Sequence, residues 1–301
     1  MTQQRSNLWL WIVVGGGFFL FFILCLTALA VMYKNTGSSP VSRSSNQIAS
    51  LEIKGTISDS KAFVDELREY GTRPNVKAVI IRIDSPGGGV AASQEIYEAI
   101  KKFRAETKKK VVVSMASTAA SGGYYIACAA DRIFANPGTI TGSIGVIAQW
   151  YDYSDLLRWA KMQSIVIKSG ELKDSGSGFR PMTDQEKIYF QSLIDDMYGQ
   201  FVSAVSESRK IPEEVVRQLA DGRVYTGREA KEKRLVDELG TFQDAVQAAA
   251  KMGRITVEPK LLTPAKKRIT VLDLLLGNAE SVFPLGSGGS ESHIRFEYLW
   301  R

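Results

Sequence analysis

The sequence predicts an α/β fold built on a parallel sheet, and three observations carry that prediction. From about residue 47 onward, strand-like and helix-like segments alternate along the chain, the order that builds parallel strands with helical crossovers. Two strand candidates, Val76–Ile83 (VKAVIIRI) and Lys110–Met115, are nearly continuous apolar runs rich in β-branched residues. Such runs mark strands buried on both faces. Each is followed by a glycine-rich turn and then a helical pattern, as where a parallel strand passes into its crossover helix.

Ahead of this body, Leu8–Tyr33 is apolar, with no charge between Arg5 and Lys34. A membrane-spanning helix needs about 20 apolar residues, so the stretch is long enough. Trp9, Trp11 and Tyr33 stand near its ends, where interfacial aromatics collect. Ala28-Leu29-Ala30 looks like a leader-cleavage site, yet the apolar core of a cleaved leader spans about 7–15 residues. An uncleaved anchor over 8–33 is therefore expected, preceded by a short tail (1–7). Arg5 on one side and Lys34 and Arg43 on the other leave its orientation open. Residues 34–46, rich in Ser, Gly and Asn, read as a linker.

The folded domain is expected over 47–262. Its strand candidates are Ile48–Ile57, Val76–Ile83, Lys110–Met115, Ile133–Ala135 and Ser164–Lys168. Helices are expected from a Ser58 or Asp59 cap to about Tyr70, over Val90–Phe103, over Ser121–Ala130, and over Thr183–Arg209. Pro212 suits the first turn of the next helix. In the tail, 263–301, Val271–Leu276 could form a short apolar helix, and a Gly/Ser stretch precedes the aromatic, basic run HIRFEYLWR. That run is either a frayed end or a docking segment.

Composition narrows the chemistry. With 45% hydrophobic and 23% charged residues in a chain of 301, the body is a folded domain rather than a disordered one. The net charge of +6 is scattered among acidic residues without a basic block, which points to a solvated surface with some attraction for anionic lipid, and to no nucleic-acid partner. The two cysteines, Cys25 and Cys128, suggest neither a disulfide nor a metal site. One histidine, His293, lies beyond the flexible glycine stretch.

The two turns are Asp84-Ser85-Pro86-Gly87-Gly88-Gly89 and Ala119-Ala120-Ser121-Gly122-Gly123-Tyr124-Tyr125. Glycines let backbone N–H groups approach a ligand closely, and strand ends of parallel sheets are where ligands bind. A serine at such a turn can attack a carbonyl while the other turn stabilises the oxyanion. Phosphate-binding loops and tight packing turns share this composition. The first turn, however, lacks the Gly-Lys-Ser/Thr ending of a P-loop, and Ala119 replaces the first glycine of a hydrolase elbow. With histidine nearly absent, a lysine of lowered pKa is the economical base, giving a Ser–Lys pair.

The ordered motifs IDSPGGG, ASGGYYIA, NPGTITGSIGV and KSGELKD resemble those of the signal peptide peptidase A (protease IV) family, in its short bacterial form, over about residues 48–260. The resemblance implies a ClpP/crotonase-like fold of repeated ββα units. It implies Ser121 as nucleophile and Lys173 as base, with Lys168 as the rival. It also implies oxyanion donors from Gly88 and Gly122, and Ser143 hydrogen-bonded to the lysine. Neither metal nor cofactor is implied. The expected activity is endoproteolysis of cleaved signal peptides and other apolar peptides. The enzyme would sit at the bacterial inner membrane by one pass, its catalytic domain outside the cytoplasm. It would form a homo-oligomeric ring whose sites are shared between subunits. Acyl-CoA chemistry on the same fold and a non-catalytic scaffold are the alternatives; the anchor and the Ser–Lys pattern oppose the first, the intact motifs the second.

Overall fold

The computed structural model describes residues 16–17, 19–27, 46–263 and 296–300. The chain divides into two compact units, Met1–Ser44 and Ser45–Arg301. In the first, the described residues are helical, and among the described residues no helix is long and apolar enough to cross a membrane. The rest of the expected 8–33 anchor lies outside the described residues, as do the linker over 34–45, the expected helix Val271–Leu276 and His293.

The second unit is mixed α/β with a sheet rich in parallel pairs. Its strands are β1 (Gln47–Lys54), β2 (Val76–Ser85), β3 (Gly87–Gly89), β4 (Lys110–Ala120), β5 (Arg132–Ala135), β6 (Ile140–Gly142), β7 (Ile147–Ala148), β8 (Val224–Thr226), β9 (Glu238–Leu239), β10 (Lys260–Leu262) and β11 (Phe296–Leu299). The main sheet runs β10-β1-β2-β4-β5-β9, all neighbours parallel. Near its end β4 also pairs in parallel with β6, which pairs antiparallel with β8. A small antiparallel sheet, β3-β11-β7, lies apart from it.

The β-branched runs are explained by what covers them. Val79, Ile81 and Ile83 of β2 and Val111, Val113 and Met115 of β4 join a core with the helices Lys61–Thr72, Val90–Thr107 and Gly122–Ala127. The intervening Ala78, Ile80 and Val112 pack on the other face against Ala245, Val246 and Ala249 of the Phe242–Met252 helix. Alternate side chains of a strand point to opposite faces, so both faces need apolar residues. The long helix begins where the sequence marks it. Thr183 accepts a hydrogen bond from the Glu186 N–H (3.2 Å) while the Glu186 carboxylate accepts from the Thr183 N–H (2.8 Å). This reciprocal cap starts Asp184–Arg209. Pro212 sits one residue earlier than expected, as the cap of Glu213–Leu219.

Three expectations are corrected. The helix after Ser121 is shorter, Gly122–Ala127, and β4 is longer, reaching Ala120. Ser164–Lys168 is irregular rather than a strand. Ile165 is 85% and Ile167 98% exposed, and among the described strands none pairs with the segment, so local β-propensity has no ladder to join.

Burial predicts a contrast that urea denaturation of the full chain can read. Ile81→Ala is expected to cost about 2–5 kcal/mol of stability, and Val257→Ala, at a side chain 61% exposed, no more than about 0.5 kcal/mol. Equal losses would mean that Val257 is packed in solution.

Candidate active site

The site is assembled at the carboxyl ends of β2 and β4. Their parallel pairing runs in one register to Ile83 opposite Met115, shifts at an irregularity, and resumes with Ser85 opposite Ala119, which places the two glycine turns side by side. The Ser85 hydroxyl donates to the Gly55 carbonyl (2.6 Å) and accepts from the Gly87 N–H (3.1 Å), fixing the first turn. Ile57 then brackets it. The Ile57 N–H donates to the Gly87 carbonyl, and the Gly89 N–H to the Ile57 carbonyl, each at 2.8 Å. A Cβ on Gly88 would lie 2.1 Å from the Ile57 oxygen, so no other residue fits this close approach.

Ser121 follows β4 with φ +51° and ψ −116°. This is the mirror image of an ordinary extended conformation, a geometry that glycine adopts freely and an L-residue holds only under strain. The structure over-determines it. The Ser121 N–H donates to the Gly142 carbonyl on β6, and its own carbonyl accepts the Tyr125 N–H that opens the next helix, both at 2.8 Å. Ser121 is 1% exposed. A Cβ on Gly122 would lie 2.5 Å from Ser93 Oγ and 3.3 Å from the Gly88 nitrogen. The two expected oxyanion donors are therefore neighbours.

Ser143 follows β6, whose Gly142 lies opposite Ala120 of β4. It too has a positive φ, +49°, and its N–H donates to the Arg223 carbonyl (2.8 Å). Ser121 and Ser143 line one open cleft of about 450 Å³, together with Ile147, Ile194, Asp221 and Leu299. The Asp221 carboxyl is held down at about 2 by hydrogen bonds from Arg223. Cys128 is buried beneath the helix, its thiol pushed up to about 11 by that burial.

The cleft holds a segment that the sequence left open between frayed end and docking tail. Strand β11 pairs antiparallel with β3, Tyr298 opposite Gly88 and Leu299 opposite Gly87. On its other edge it pairs with β7. The Trp300 N–H donates to the Pro86 carbonyl (2.9 Å). Tyr298 is fully buried, stacked on Tyr125 at 5.3 Å and tilted against Phe201 at 4.8 Å. Its hydroxyl donates to the Met197 carbonyl (2.9 Å), and burial pushes its phenol well above the usual range. Leu299 and Trp300 line the cleft beside Ser121. An extended backbone thus lies across the first glycine turn.

Lys173 is placed differently. It is exposed, on the 3₁₀ turn Glu171–Asp174, and is not among the described residues that line the cleft. Lys168 is engaged nearby. Its ammonium donates to Asp174 Oδ1 (2.6 Å) and to the Glu171 carbonyl (2.7 Å). The structure therefore brings together Ser121, Gly88, Gly122 and Ser143, and leaves both candidate lysines outside.

Known proteins agree with this architecture. Residues 103–256 match the model of peptidase family S49, and residues 45–139 that of the Clp protease family. A Synechocystis sp. protein provisionally named as a protease is 46% identical over 206 residues, covering 68% of this chain and 73% of its own length. Protease 4 of Haemophilus influenzae is 34% identical over 69% of this chain, and the chloroplastic serine protease SPPA of Arabidopsis thaliana 33% over 77%. The match spans about a third of each of those two longer chains, 35% and 34%. On this sequence similarity, the chain belongs to peptidase family S49 and is a serine peptidase.

Proposed function

We propose that this peptidase is a membrane-bound endopeptidase of the signal peptide peptidase type, working through a Ser121–Lys173 dyad on cleaved signal peptides and other apolar peptides. The observation that carries the reading is the strained Ser121 at the end of β4, facing a cleft across which an extended strand already lies. A substrate lying as β11 lies would present its backbone to the glycine turn and its apolar side chains to Ile147, Ile194 and the Tyr125–Phe201 pocket. Ser121 Oγ attacks the scissile carbonyl and Lys173 Nζ takes its proton. The N–H groups of Gly88 and Gly122 receive the oxyanion, and Ser143 hydrogen-bonds the lysine. Collapse of the tetrahedral intermediate expels the amine, which takes the proton back from Lys173. Water then releases the acyl group by the same route.

Lys173 lies outside the cleft of its own chain, so we assign it to the site of a second copy, in a homo-oligomeric ring. Exposed apolar residues around the lysine support this. Trp159 is 82% exposed, and Met162, Ile165, Val166 and Ile167 are exposed with it. So large an apolar surface is what an interface between copies would cover. In this reading residues 47–262 form the ClpP/crotonase-like peptidase domain, 263–301 a tail that returns to the cleft, and 8–33 a single-pass anchor in the bacterial inner membrane, with the domain outside the cytoplasm.

Ser121→Ala is expected to lower peptide hydrolysis by several orders of magnitude at an unchanged melting temperature; near-normal turnover by the folded variant would rule out the nucleophile. Mixing Ser121→Ala with Lys173→Met chains tests the shared site. With random assembly in a closed ring, about a quarter of sites regain both native residues, while dyads formed within one chain regain none. Tyr298→Ala is expected to loosen β11 and to speed labelling of Ser121 by a fluorophosphonate. An unchanged rate would show that the tail does not limit access.

A further inference from the structure

We infer that Arg180 and Asp174 are positioning residues for the base: they clamp the Glu171–Asp174 turn, and Lys173 with it, to the Asp184–Arg209 helix of the same chain, so that the lysine is presented to the neighbouring copy from a fixed support. The inference rests on the reading of Lys173 as base. A general base must be held close to its productive geometry, since misplacement by about 1 Å can cost about 100-fold in rate. The turn has little rigidity of its own. It is one 3₁₀ turn after an irregular segment, and Lys173 is exposed.

What holds it is a line of charged hydrogen bonds. Asp174 Oδ1 accepts from Lys168 Nζ (2.6 Å) and Oδ2 from Arg180 Nε (3.1 Å). The opposite edge of the Arg180 guanidinium forks onto Glu186, with Nη1 to Oε2 at 2.9 Å and Nη2 to Oε1 at 2.5 Å. Glu186 is 2% exposed and is already tied into the cap of Asp184–Arg209 through Thr183. That same helix carries Ile194 and Tyr198 in the wall of the Ser121 cleft and anchors itself in the core through Phe201, Val202 and Val205.

Only a planar, forked cation can serve Asp174 and Glu186 at once. Hydrogen bonds from Arg180 hold both carboxyls below their usual range, so the clamp stays ionised at neutral pH. Buried ion pairs add little net stability over apolar replacements; geometric definition is what this one supplies. The same contacts give Lys168 a role. It braces Asp174 and the Glu171 carbonyl rather than facing substrate.

The test uses full-length chains with steady-state peptide hydrolysis and thermal melting, on Asp174→Ala, Asp174→Asn, Arg180→Lys and Lys173→Met. Asp174→Ala leaves the half-buried Arg180–Glu186 pair intact, so it is expected to melt near the wild-type temperature. Its kcat should fall about 10- to 100-fold with KM within about twofold, because the residue meets no substrate. Asp174→Asn keeps an acceptor for Arg180 and should recover part of the loss. Arg180→Lys, which cannot fork, should lose kcat as Asp174→Ala does. Wild-type kcat in Asp174→Ala and Arg180→Lys, beside an inactive Lys173→Met, would overturn the clamp while sparing the base. A rise in KM at unchanged kcat would also overturn it. An active Lys173→Met chain would remove the base assignment itself, and the clamp with it.

Discussion

The candidate active site depends on the parallel pairing of β2 with β4. Nothing local to either glycine turn would bring it to the other, for one follows Ser85 and the other Ala120. Strand pairing does so, by setting Val79 against Val111 and, past a register shift after Ile83, Ser85 against Ala119. That register is held because both strands bury apolar side chains on both faces, and a slip by one residue would exchange every core contact. Pairing of β6 along the last residues of β4 then fixes the height of Ser143 relative to Ser121. The serines and glycines of the cleft are thus set by the buried central strands of the sheet.

The proposed base is carried quite differently. Its turn belongs to an exposed arm joined to the core by side-chain charges rather than by a ladder, and that contrast suits a site finished by association. On the proposed reading, Ser121 and the glycine turns are preformed in each chain, while the clamped lysine reaches a cleft only when copies meet. The tail strand lies in the same cleft. Tyr298 fills an aromatic pocket and satisfies its own hydroxyl, so on the proposed reading a peptide lying along Gly87–Gly89 would have to displace a well-packed side chain.

Much of this was legible in the sequence. The runs VKAVIIRI and KVVVSM read as strands buried on both faces, and the amphipathic pattern over Thr183–Arg209 placed the long helix to within a residue. The motif resemblance singled out Ser121, Ser143, Gly88 and Gly122, which the fold does gather. What escaped were matters of long-range pairing. The aromatic run near the C-terminus carried no sign that it would add a strand to Gly87–Gly89. The β-rich pattern of Ser164–Lys168 gave no warning that a ladder partner was missing. Nothing in the sequence singled out Arg180 or Glu186, because burial of a carboxylate at a helix cap is a tertiary event.

The backbone at Ser121 has a consequence for how such a protein changes over generations. Holding an L-residue at φ +51°, ψ −116° costs on the order of 1–3 kcal/mol, and glycine would escape that cost. Glycine at this position is expected to give the more stable chain and, on the proposed mechanism, an inactive one. A design procedure that scores stability alone would then lead away from the enzyme. On that reading, demand for the reaction is what keeps the strained residue in place.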